Sequence, residues 1–181
     1  MEDNLRLTPR LQDEVEKALE HTVKAETEED AEDWFVDAKN RLLDVNHWRQ
    51  YGHHLNAEFT LADAHGKAVN RSAHRGDHLH IDIPGSGSGV DWVVDAIVYD
   101  DYPDINRETI TVRVRPSSDL KGKQDHDLTP SSYAHAAGAF VVERVGKMLR
   151  TIFQRRSEPS NAGLGLPDVQ WEALTKGLLE G

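Results

Sequence analysis

The chain has no cysteine, which removes disulfides, thiolate nucleophiles and thiolate metal ligands from the chemistry open to it. It has no apolar run approaching the roughly 20 residues that a bilayer-spanning helix needs. Its opening, MEDNLRLTPR, lacks the basic and then apolar order of a secretory signal. The expectation is a soluble cytoplasmic protein with no membrane association. Basic residues are scarce: 21 Lys and Arg stand against 32 Asp and Glu, for a formal net charge of -11. Such a balance repels a phosphate backbone and argues against a nucleic-acid partner. The 10 histidines qualify that charge, because protonation below about pH 6.5 would cancel much of it.

The common nucleotide and hydrolase motifs are also missing. Gly85-Ser86-Gly87-Ser88-Gly89 resembles a phosphate loop only superficially. A phosphate loop needs a helix directly behind it, so that N-terminal N–H groups meet the anion, and the P-loop also needs a Lys-Ser/Thr pair. A strand pattern follows here, there is no such lysine, and the spacing also fails the G-x-S-x-G elbow. The loop reads as a hairpin connection.

What the chain does have is size and alternation. Its 181 residues with 38% hydrophobic content suit one domain, 1–181, with one sizeable core. Thr8-Pro9 reads as a helix start, with Leu11, Val15, Ala18, Leu19 and Val23 at helical spacing. Thr27 caps a second helix whose apolar stripe is Ala31, Trp34, Phe35, Ala38, Leu42 and Val45. The two make an expected helical hairpin over 8–45, with Trp34 and Phe35 packed on a sheet. Residues 46–56 read as a polar and aromatic connector.

Period-two runs then occupy 57–156. Ala57, Phe59 and Leu61 share one face of a strand, as do Leu79, Ile81 and Ile83 of the next; His78, His80 and Asp82 take the opposite face. Trp92, Val94, Ala96 and Val98 are expected on the core side of a third strand, and Ile110, Val112 and Val114 on that of a fourth. Residues 139–154 read as a last hairpin turning at Gly146, apolar on both faces and therefore covered on both sides. The polar stretch 117–136 reads as a lid or as disorder. Pro167 opens a C-terminal helix over 167–180, in which Trp171, Leu174 and Leu178 share a face and Gly177 is a weak point. The fold expected is α+β: a mainly antiparallel sheet of about six strands covered by two N-terminal helices and one C-terminal helix.

Two groups of side chains carry chemistry. His78-x-His80-x-Asp82 projects imidazoles and a carboxylate from one strand face, as ligands of a divalent metal can. The H-x-H element resembles that of cupins, but the glutamate and second histidine motif of cupins are missing. Arg113, Arg115, Lys121 and Lys123 gather cations at the end of the fourth strand, where guanidinium forks suit carboxylates and phosphates. Register sharpens the first group. Setting Ile83 opposite Trp92 and Val98 opposite Ile110 would line up His80, Asp95 and Arg113 in a polar row. No catalytic residue and no cofactor is assigned, although the His78, His80 and Asp82 face could take a divalent metal. Two functions fit: a non-enzymatic domain binding a small ligand or a protein, or a metal-dependent hydrolase using His78, His80 and Asp82.

The strings NHW (46–48), GDHLHIDIPG, DWV, RVRPSS and DVQWEALTKGLL resemble an uncharacterised family of bacterial proteins. The likeness runs from about residue 46 to the end. It implies a bacterial cytoplasmic protein and transfers no catalytic residue.

Overall fold

The computed structural model describes residues 15–85, 89–117, 138–156 and 166–181. Thr8, Pro9, the centre of the glycine loop and nearly all of 117–136 lie outside them. The described residues form strand β1 (Val15–Lys24), helix α1 (Glu28–Leu43), a 3-10 turn (Val45–His47) and the four-residue helix α2 (Trp48–Tyr51). Strands β2 (Glu58–Ala62), β3 (His78–Asp82), β4 (Val90–Tyr102), β5 (Arg107–Pro116), β6 (Gly138–Val145) and β7 (Met148–Arg156) follow, and helix α3 (Asp168–Glu180) closes the chain. All seven strands form one sheet in the order β1-β7-β6-β5-β4-β3-β2, and every neighbouring pair is antiparallel.

The α+β class is as expected, but the sheet has seven strands, and the seventh corrects the first helix. Residues 15–24 form β1, paired along the outer edge of β7. Val15, Leu19 and Val23 are spaced by four, and four is both about one helical turn and two full strand periods. The same residues therefore satisfy either pattern. In the strand, Leu19, His21 and Val23 are half-buried while Ala18, Glu20, Thr22 and Lys24 are exposed.

Helix α1 forms as its sequence requires. Thr27 is extended, and its hydroxyl accepts the Asp30 N–H at 3.0 Å. Glu28, Glu29 and Asp30 place negative charge in the first turn, where the helix dipole favours it. Ala31, Phe35, Ala38 and Leu42 are buried. Trp34 does not pass wholly to the sheet: its indole donates to the Leu179 carbonyl of α3, and Arg41 donates to the Leu178 and Leu179 carbonyls at 2.9 and 2.8 Å. These bonds satisfy carbonyls that the end of a helix leaves open. Gly177, expected to weaken α3, is instead what lets it seat. A Cβ there would stand 1.8 Å from the Tyr51 carbonyl oxygen.

One sheet face and these helices enclose an aromatic core. Trp171 of α3 stacks on Trp92 of β4 with centroids 5.8 Å apart, and it meets Phe153 at 4.8 Å and Phe140 at 6.1 Å. Phe140 and Phe153 stack at 4.3 Å. Trp48, from the segment that reads as a polar connector, is fully buried beside Phe59 and Phe140. Its indole donates to the Arg41 and Leu42 carbonyls. The β6–β7 hairpin turns at Gly146, where φ is +59°. Only its inner face is deeply covered by apolar side chains. On its outer face Val145 and Met148 are exposed, and Glu143 is held between Arg107 and Arg150 at 2.8 and 2.6 Å.

Candidate functional site

The alternation of β3 puts Leu79 and Ile81 into the core and turns His78, His80 and Asp82 outward. The neighbouring strands supply what lies around them. Thr60 of β2 stands opposite His80, and Asp91 of β4 stands opposite His80 on the other side. The Asp91 carboxylate is bonded to His78, with Nδ1 and Oδ2 3.2 Å apart. An imidazole held this way at Nδ1 has its tautomer and ring plane set by the carboxylate. The His80 ring lies over Gly89, where a Cβ would come within 3.0 Å of Nε2. Thr60, His78, His80 and Asp91, together with Ala62, Ala64, His65, Gly66 and Ala68, line a depression of ≈ 680 Å³ on the outer face.

The β2–β3 connection builds the wall of this depression, and one buried carboxylate holds it. Asp77 is 3% exposed. It accepts two guanidinium bonds from Arg71, at 2.7 and 3.0 Å, and the His74 N–H at 2.7 Å. Burial alone pushes its carboxyl up, but the Arg71 bonds, the His74 N–H and the Arg71 charge outweigh it and hold the group below the usual range. The main chain of Gly76 and Asp77 then continues the ladder on Val94, with both bonds at 2.8 Å.

That extension explains the register. Leu79, not Ile83, sits opposite Trp92. The slip is even, so the inward and outward sets of β3 are preserved while the cross-strand partners change. His80 therefore faces Asp91 rather than Asp95. On the β5 side, Val94 pairs with Val114 but Ala96 pairs with Arg113, so Asp95 is an extra residue in β4. Such a bulge interrupts alternation. Beyond it Ile97 packs on the core and Val98 is exposed, which reverses the faces expected for Ala96 and Val98. The row His80, Asp95, Arg113 is thus not formed as a row.

One arm of it survives. The Asp95 carboxylate lies 3.3 Å from Arg115 Nε and 3.7 Å from Arg113. The Arg75 guanidinium joins them from the β2–β3 connection, where Nε donates to the Asp95 main-chain carbonyl at 3.2 Å. Arg75, Arg115, Asp95, Gly76, Val93 and Val94 line a second depression of ≈ 350 Å³, which shares Ala64 and His78 with the first. The two depressions adjoin at these residues.

Of the anion-binding candidates, Arg113 and Arg115 are brought together. Lys121 and Lys123 lie outside the described residues. Of the metal candidates, His78 and His80 border the larger depression, whereas Asp82 is exposed at the far end of β3. Among the described residues no three His, Asp or Glu side chains gather as ligands of one ion. Sequence reasoning missed Asp91, Thr60, His65 and Arg75. Strand parity could have nominated Asp91, since it is one residue outside the inward Trp92. Nothing in AVNRSAHRGD indicates that Arg75 would fold back onto β4.

No family model matches the chain, and no curated protein matches it. A solved structure, ginseng major latex-like protein 151 (GLP) from Panax ginseng, aligns with it at 10% identity over 90% of this chain and 94% of that chain, with a TM-score of 0.40.

Proposed function

We propose that the protein is a binding domain in which the two depressions are lobes of one groove that holds a small polar ligand and does not transform it. The observation that carries this reading is that both depressions share Ala64 and His78. Their volumes fall in the range of about 300–1,000 Å³ usual for small-molecule sites. Imidazole, hydroxyl, carboxylate and guanidinium groups converge there from four strands and one clamped connection, and polar groups fixed on a rigid scaffold give orientation and selectivity. The metal-dependent hydrolase reading is weaker, because Asp82 does not line the lobe that His78 and His80 share.

The test is a thermal-shift screen of small polar metabolites against the wild type and Ala64→Trp. Ala64 is exposed, so the indole should block the junction without touching the core. Ligands that raise the melting temperature of the wild type and not of the variant support the groove. Equal stabilisation of both places the ligand elsewhere, and mass-spectrometric evidence of turnover, abolished in His78→Ala, would replace a binding domain with an enzyme.

A further inference from the structure

We infer that the ligand of this groove is a small hydroxylated oxyanion, with its acid group in the arginine lobe and its hydroxyls in the imidazole lobe. The inference rests on the groove being a ligand site and names the ligand's chemistry. Three features point to it.

The first is the charge of Arg75. Its Nε is engaged by the Asp95 main-chain carbonyl, and none of the ion pairs among the described residues includes it. A guanidinium bound to a neutral acceptor keeps its full charge at the lobe wall, and its remaining N–H donors stay available. The carboxylate of the same lobe, Asp95, is met by Arg113 and Arg115 rather than by Arg75.

The second is Arg115, which lines the same lobe with its side chain only 14% exposed. Its Nε lies 3.3 Å from the Asp95 carboxylate, and together with Arg75 it sets two guanidiniums against one carboxylate in the lining of this lobe. The two arginines come from different elements, a connection and a strand, and their combined charge in one lobe favours an anion there.

The third is the contrast of the other lobe. There the Asp91 carboxylate faces no guanidinium in the lining and repels an acid group, whereas in the arginine lobe two guanidiniums outnumber Asp95; Asp91, His78, His80, His65 and Thr60 together offer acceptors and donors at short intervals. Ala62, Ala64 and Ala68 keep part of its lining small and apolar. A neutral body carrying several hydroxyls satisfies both conditions, because each hydroxyl can donate to the carboxylate or an imidazole and accept from another. Carboxylate and phosphate are two sources of the same recognition, and the probes separate them.

The experiment is calorimetric titration with glucose 6-phosphate, glucuronate, glucose and inorganic phosphate, at fixed pH and ionic strength. At least one of the two sugar acids should bind tenfold or more tighter than both glucose and inorganic phosphate, and which one does identifies the acid group. Arg75→Gln, on an exposed side chain, should weaken that binding at least tenfold while leaving the melting temperature unchanged. Arg115→Gln should also weaken it, because it removes one of the two guanidinium charges of the lobe. Glucose binding as tightly as both acids, or Arg75→Gln binding like the wild type, overturns the inference. If neither sugar acid binds, while the screen yields neutral or cationic ligands that Ala64→Trp excludes, the oxyanion is wrong and the groove stands. If Ala64→Trp excludes nothing, the groove itself falls.

Discussion

The two faces of β4 differ within a single strand. Inward, Trp92 and Val94 are wholly buried against α3 and β6. Outward, Asp91 and Asp95 each meet a basic side chain, His78 in one case and two arginines in the other. Period-two geometry forces this division, because neighbouring side chains of a strand cannot share a face. The inner face is satisfied by area and shape, which many apolar residues could supply. The outer face is satisfied by direction and charge, which few could. Stability should therefore depend on the first and recognition on the second.

The largest expected effect tests the inner face. Trp171 touches the rings of Phe59, Trp92, Phe140 and Phe153, and Trp171→Ala would leave a cavity at the point where they meet. The cost should be about 3–5 kcal/mol in a reversible urea titration, against less than about 1 kcal/mol for His78→Ala on the outer face. Similar costs for the two would end the division of labour between the faces.

The connection that walls the groove is intermediate, since its key group is polar and buried. Asp77→Asn should cost about 1–2 kcal/mol at neutral pH, with the ion-pair part discounted because Arg71 is one-third exposed. The sign of its pH dependence follows from the depressed carboxyl. A group whose folded pKa lies below its unfolded value contributes stability that is complete above the unfolded value and is lost as pH falls through the folded one. Urea titrations of both proteins should thus show the gap constant from pH 7 to about 5 and closing as pH drops below about 4. A gap that holds its size to pH 2 would mean that the Asp77 charge is not what orders the loop.

How far the sequence discloses this depends on whether a signal is local. Thr27 and the stripe through Leu42 define α1 unambiguously, because cap and periodicity agree. The outward set of β3 is equally readable. Residues 15–24 are not, since spacing by four fits helix and strand alike, and pairing with β7 decides between them. Trp48 is hidden by its polar neighbours, and Gly177 looks like a defect until Tyr51 is placed against it. The groove was half visible: His78, His80 and Arg115 could be nominated from alternation, whereas Arg75 reaches Asp95 only through a fold-back over 20 positions of sequence. The partners of Asp95 depended on a bulge, which single-strand alternation does not announce.

That bulge yields the smallest and most discriminating effect. Unbroken alternation from Trp92 would carry Ala96 and Val98 inward, while an extra residue at Asp95 carries Ile97 inward and leaves Val98 44% exposed. Ile97→Thr should cost about 1–2 kcal/mol, since it removes packed methylene and brings a hydroxyl against apolar neighbours. Val98→Thr is nearly isosteric and faces solvent, so it should stay within about 0.5 kcal/mol. The order of the two costs matters more than either size. If Val98→Thr proves the more damaging, β4 runs without a bulge, Asp95 returns to the line opposite Arg113, and the arginine lobe loses the Asp95 geometry that Arg115 meets at the carboxylate and Arg75 at the main-chain carbonyl.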